Sequence, residues 1–225
     1  MTTTWMYRIA LGLLVAALLY VFFPNSEPNP RPHFWDIQLE KQQISLLGLR
    51  LYDNRLSDVV QRLRVTPTIA MFTKRQRPNQ AVPKMFVEAY FEDVFDEDDR
   101  VIVGLAASDA LLAHIKKSAL RPELFPNDVI RVAIPEALNG QISMLQIKNI
   151  TFIAGERLKF EEFKAKMGEP TQLLDDGQGN AHFLYPELGL DFIQPSDGLQ
   201  VLQFVDPAAF EALLLTPLQT SDKRP

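Results

Sequence analysis

The sequence predicts an α+β fold: an N-terminal transmembrane helix, then two tandem units in which short helices pack on antiparallel sheets. Three observations predict it. Residues Ile9 to Phe23 form an unbroken apolar run, strand-like alternation and helix-like spacing take turns from residue 45 onward, and the order strand, helix, three strands, helix occurs twice.

The apolar run IALGLLVAALLYVFF is preceded by Trp5, Met6, Tyr7 and Arg8. A bilayer of roughly 30 Å needs about 20 helical residues, and the 19 residues from Trp5 to Phe23 approach that length if Arg8 snorkels to the headgroups. Trp5, Tyr7 and Tyr20 then sit as interfacial aromatics. A cleaved signal peptide is the competing reading, but no A-x-A-like site follows the run, where the chain reads PNSEPNPRP. Residues 1–23 are therefore read as a signal anchor. Arg8 and the α-amino group precede the span, which places the N-terminus in the cytoplasm, the span in the inner membrane and the bulk of the chain in the periplasm. Pro24, Pro28, Pro30 and Pro32 make residues 24–36 a polyproline-like stalk rising about 3.1 Å per residue.

The first α+β unit occupies residues 37–120. Leu47, Leu49 and Leu51 alternate as a half-buried strand, Ser57 with Asp58 opens a helix that presents Val59, Val60 and Leu63 on one side, and strands follow at 68–73, 85–91 and 100–105. Ser108 caps a second helix, SDALLAHIKKSAL. Pro122, Pro126 and Pro135 interrupt the chain, so residues 121–140 read as a linker. The second unit, 141–218, has the strand LQIKNITF, the helix LKFEEFKAKM, three apolar runs near His182, Leu190 and Val201, and a closing PAAFEALLL with proline in its first turn. Residues 219–225 read as a disordered tail. Leu56, Val59 and Leu63 match Phe160, Phe163 and Met167 at a constant offset.

Composition excludes several function classes. With 47% hydrophobic residues among 225, the chain builds a core, and with no cysteine it has no disulfide, thiolate metal site, cysteine nucleophile or lipidated cysteine. A net charge of −5 and an extracytoplasmic domain argue against nucleic acid. No zinc-protease, nucleophile-elbow, Walker A or dinucleotide motif occurs, and His33, His114 and His182 have no metal-ligand spacing. No catalytic residue, cofactor or metal is expected. Asp96, Glu97, Asp98 and Asp99 lack the glycine and distal glutamate of a calcium loop and read as a solvated hairpin turn, as do Asp175 and Asp176 before turn glycines.

In the second half the helix with F-x-x-F runs into MGEP at 167–170, followed by DDGQGN, HFLYPELGLDF and LQVLQF. Residues 156–205 resemble the BamE/SmpA-like domain of small envelope-assembly proteins, and 45–119 resemble it more weakly, since VTPT at 65–68 lacks the glycine. The resemblance rests on Phe160, Phe163, Gly168, Pro170, Phe183 and Tyr185. It implies two BamE-like units in an envelope protein with a protein partner. Gly168 supplies a left-handed helix stop and Pro170 prevents continuation, so the chain turns back over Phe160, Phe163 and Met167. Phe183 and Tyr185, at alternate strand positions, are core residues.

Charge is segregated along the first unit. Arg50, Arg55, Arg62, Arg64, Lys74, Arg75, Arg77 and Lys84 face only Asp53 and Asp58, whereas Glu88, Glu92, Asp93 and Asp96–Asp99 precede Arg100. The two blocks either pair with each other or leave Lys74, Arg75 and Arg77 as a cationic surface for anionic lipid or an acidic partner. The expected function is a non-enzymatic envelope binding or assembly module, held in the membrane by residues 5–23 and acting through protein contacts. A periplasmic lipid carrier would show instead as an apolar pocket, and an envelope hydrolase as two convergent acids. A reporter that works only outside the cytoplasm, fused after Pro225, is expected to be active. Recovery of a soluble form beginning near Pro24 would overturn the anchor.

Overall fold

A computed structural model of the chain describes residues 37–40, 43–76, 82–118, 122–125, 128–155 and 158–221. The anchor and stalk expected at 1–36, and Arg77, lie outside the described residues. No helix among the described residues is long and apolar enough to cross a membrane.

The chain first forms β1 (Ile37–Glu40), β2 (Gln43–Leu46) and β3 (Leu49–Arg50), a small antiparallel sheet of its own. The leucine alternation expected to be one strand is instead a hairpin: Leu46 pairs with Leu49, and Leu47 and Gly48 both take positive φ, 59° and 74°. Positive φ at both central residues matches the right-handed strand twist. Helix α1 (Leu56–Leu63) holds this turn, because the Arg62 Nε donates to the Leu47 carbonyl at 2.8 Å. The helix starts one residue before Ser57, and its cap is Asp58, which accepts from the Arg55 backbone N–H at 2.8 Å.

Next come β4 (Thr68–Lys74), β5 (Phe86–Glu92), β6 (Arg100–Leu105) and α2 (Asp109–Ser118). Ser108 caps α2 through the Leu111 N–H. The segment expected to be a linker carries β7 (Glu123–Leu124), β8 (Val129–Ala133) and the short α3 (Asn139–Ser143). Pro122 and Pro135 lie outside the strands, where a missing N–H costs no ladder bond. Then follow β9 (Ile147–Ile153), α4 (Phe160–Met167), β10 (Gln172–Asp175), β11 (Asn180–Tyr185), β12 (Leu190–Pro195) and β13 (Val201–Val205). The chain closes through a proline-led turn at Pro207–Ala209, a π-helical turn at Glu211–Leu215 and α5 (Thr216–Ser221).

The fold class expected from the sequence needs correction. The strands do not form a sheet for each unit: ten of them make one antiparallel sheet in the order β10-β11-β12-β13-β9-β6-β5-β4-β8-β7. The protein is mostly sheet with short helices. Strand β9 is the seam, since Ile153 sits opposite both Arg100 of β6 and Val201 of β13. Strands β6 and β13 therefore run parallel to each other on either side of β9, and their meanders extend in opposite directions. Helices α1 and α4 bury Leu56, Val59 and Phe163 against the same face. The two meanders therefore share one sheet and one apolar face instead of forming two separate units.

That shared face is the main core. Met71, Val87, Ala89, Phe91, Val101, Val103, Ile150, Phe152, Leu190, Phe192, Leu202 and Phe204 alternate into it, as a half-buried sheet requires. Beneath α4 lies an aromatic cluster. Phe160 and Phe183 have ring centroids 3.9 Å apart, Phe163 and Phe192 4.7 Å, and Phe163 and Tyr185 5.8 Å at 70°. The Tyr185 hydroxyl donates to the Gly168 carbonyl at 3.2 Å. Phe160, Phe163, Phe183 and Tyr185 are thus brought together as packing residues, and Tyr185 ties the strand to the Gly168–Pro170 turn.

The Gly168 turn differs from the expected left-handed stop. Its φ of 88° comes with a ψ of −173°, a region essentially confined to glycine, and a Cβ there would meet nothing within 4 Å. The strain of a substitution is wholly in the backbone. Gly168→Asn should therefore cost about 1–3 kcal/mol, as should Gly168→Val, because asparagine tolerates only the αL region. A denaturant titration in which Gly168→Asn matches the parent would contradict this backbone. Phe163→Ala, which empties the centre of the cluster, should cost about 3–5 kcal/mol in the same titration.

Candidate functional site

The two faces of the large sheet are covered unequally. Helices α1 to α4 lie over the core face, with Leu111, Leu112 and Ile115 of α2 and Ile142 of α3 buried there. The opposite face is covered at the β10–β13 end, where Phe210, Leu214, Leu215 and Leu218 pack on Leu174, Leu184 and Val205. Over β8, β4, β5 and β6 no described helix covers it.

Register sets the chemistry of the open part. Across β8, β4 and β5, Arg131 stands opposite Phe72 and Phe72 opposite Phe86. In the next row outward on this face come Ala133, Ala70, Glu88 and Gly104, and in the row beyond, Thr68, Tyr90 and Ile102. A row of small residues between two rows containing aromatics is a trough, and Glu88 rises from it. The result is a concavity of about 400 Å³ lined by Thr68, Ala70, Phe72, Glu88, Tyr90, Glu92, Ile102, Phe125 and Arg131. Phe72, in that lining, stacks on Phe86 with ring centroids 5.8 Å apart.

Burial raises the Glu88 carboxyl above the usual glutamate range, and the charge of Lys148 only partly offsets it. A half-buried carboxylate flanked by Tyr90 and Phe86 suits a cationic group, which would gain both the charge and the aromatic faces. Arg131, at the edge, is engaged by Glu123 at 3.2 Å. Glu88 and Glu92 share the face but stand four strand residues apart, about 13 Å along the strand, too far to act as the paired acids of a glycosidase.

Sequence reading missed this site. The signal was present in FVEAYFE, whose second face reads Phe86, Glu88, Tyr90, Glu92: aromatic and acidic residues on a strand that buries Val87, Ala89 and Phe91 on the other. The expected cationic surface is partly seen. Lys74 and Arg75 are exposed at the end of β4, and the Arg75 backbone N–H donates to the Asp128 carbonyl at 2.7 Å. No ion pair between described residues joins the basic block to the acidic one. The acidic hairpin is less solvated than expected: Asp99 is 4% exposed and accepts from the Gly155 and Asp96 N–H groups, tying the β5–β6 turn to the end of β9.

A second polar cluster lies beyond β13. His182 Nδ1 is 2.8 Å from Asp191 Oδ2, and its Nε2 is 3.9 Å from Asp176. Asp176 is held by the N–H groups of Gln178 and Asn180. Asp191 is 1% exposed and its Oδ1 has no hydrogen-bond partner. Both side chains of the pair are buried, and no group of three metal-binding side chains occurs among the described residues. His114 is exposed on α2. No protein-family model, curated protein or solved structure matches the chain.

Burial opposes the His182 charge, but the hydrogen bond and charge of Asp191, together with Asp176, outweigh it and raise the pKa above the ordinary histidine value. A raised histidine contributes stability that is fully present below about pH 6.5 and is lost as pH rises through the raised value. Unfolding free energy should therefore fall on going from pH 6 to pH 9. His182→Gln should remove that slope; a variant with the same slope would exclude His182 as its source.

Proposed function

We propose that this protein is a non-enzymatic binding module of the bacterial cell envelope, anchored in the inner membrane by residues 5–23, and that its ligand is a segment of a partner protein seated in the trough on the open sheet face. The observation that carries this reading is the half-buried Glu88 between Phe86 and Tyr90 in a concavity with no described covering element. The chemistry selects a segment bearing a lysine or arginine between apolar residues. The cation pairs with Glu88 and lies against Tyr90, while the flanking apolar groups meet Phe72 and Ile102. The resemblance of residues 156–205 to envelope-assembly domains supports a protein as the ligand. A lipid carrier fits the trough less well, because a carboxylate at its centre would be buried against hydrocarbon without a partner.

A photo-crosslinking residue in place of Tyr90 is expected to trap one discrete envelope protein in intact cells, and the same residue at Glu161, exposed on α4 over the other face, should not. Glu88→Gln should weaken capture roughly 10- to 150-fold, since a hydrogen-bonded charge is worth roughly 1.5–3 kcal/mol. Capture should also decline as pH falls through the raised Glu88 value, because only the carboxylate pairs with the cation. Equal adducts at both positions, or capture indifferent to Glu88→Gln, would refute the trough as the site.

A further inference from the structure

We infer that one end of the large sheet is a contact surface for anionic phospholipid. Strand β4 ends at Lys74 beside Val129, the first residue of β8, and the Arg75 N–H donates to the Asp128 carbonyl at 2.7 Å. The β4–β5 and β7–β8 connections therefore share that end. Val82 and Phe125, on these two connections, and Leu124, the last residue of β7, are 75%, 44% and 59% exposed, and Val82 is the most exposed large apolar side chain among the described residues. Around them Lys74, Arg75 and Lys84 are all exposed, and none of the three makes an ion pair with a described residue.

Apolar side chains presented on turns and ringed by unpaired cations match the boundary of an anionic bilayer. There the apolar groups enter the acyl margin and each cation meets a phosphate. Of these residues Phe125 also lines the trough, whereas Val82, Leu124, Lys74, Arg75 and Lys84 lie outside its lining, which separates this end from the groove that takes the partner segment. The reading rests on the anchor proposed for residues 5–23. An anchored chain meets the bilayer at high effective concentration, so a weak contact suffices.

The chain has no cysteine, so a single-cysteine variant carries one fluorophore. The full chain with Leu124→Cys, labelled, is placed with vesicles of phosphatidylcholine alone or with phosphatidylglycerol at about one part in three, each carrying a lipid-borne quencher. Quenching is expected only with phosphatidylglycerol. It should fall at least about tenfold in apparent affinity on Lys74→Glu with Arg75→Glu, and fade with added salt as exposed charges are screened over about 8 Å at physiological ionic strength. A Glu161→Cys label should remain unquenched. Unquenched Leu124→Cys in both lipids, or equal quenching in both, overturns the contact, and so does shielding that appears only in native membranes and not in protein-free lipid, which would assign this end to a protein. Flotation of the chain with the vesicles reports on the anchor separately: a chain that does not float refutes the anchor, while the label still decides the sheet end.

Discussion

Ile150 and Phe152 of β9 stand between Val103 and Val101 of β6 on one side and Phe204 and Leu202 of β13 on the other. This double pairing is the constraint from which the architecture follows. A strand hydrogen-bonded along both edges cannot end a sheet, so two meanders that would otherwise expose an edge each become one ten-stranded surface with a continuous apolar face. Because β9 also pairs its first residue with the chain ahead of α1, through Tyr52 N–H to the Ile147 carbonyl at 2.7 Å, the small N-terminal hairpin is fastened to the same seam.

A single sheet has two faces and a limited supply of helices to cover them. Among the described residues, four helices lie on the core face, and Phe210, Leu214, Leu215 and Leu218 of the C-terminal segment pack on the other. The part left open is the part with alternate positions that suit solvent or a ligand: Phe86, Glu88, Tyr90 and Glu92 on β5. Where the same face is closed, at the β10–β13 end, His182 and the Oδ2 of Asp191 partner each other within the chain. Glu88 has no such hydrogen-bonded neighbour, and its raised protonation equilibrium is the electrostatic trace of a carboxylate desolvated without full compensation.

Several elements were legible from local pattern. The bounds of β4, β5 and β6, the serine cap of α2, the F-x-x-F helix α4 and its stop before Pro170 all follow from periodicity and capping chemistry. The errors also have local causes. The alternation of Leu47, Leu49 and Leu51 fits a strand as well as it fits a hairpin, and only the positive φ of Leu47 and Gly48 separates the two. Val129–Ala133 was hidden by flanking prolines, which bound a strand as readily as they break one. Asp99 reads as one acid in a run of four, yet it alone is buried, because Gly155 from a distant strand brings its N–H there.

The sequence by itself determined the apolar sides of β4, β5 and β6, the serine cap of α2, the span of α4, and that Phe160, Phe163, Phe183 and Tyr185 would be packing residues. Only the tertiary structure decided that β9 joins β6 to β13 and that Glu88 lines a trough that no described helix covers. The reason is physical. Strand pairing is made by backbone N–H and C=O groups that every non-proline residue carries alike, so local sequence fixes the face of a strand but not its neighbour. The neighbour is chosen when all apolar faces are buried together, and the face left without a helix is known only after that choice is made.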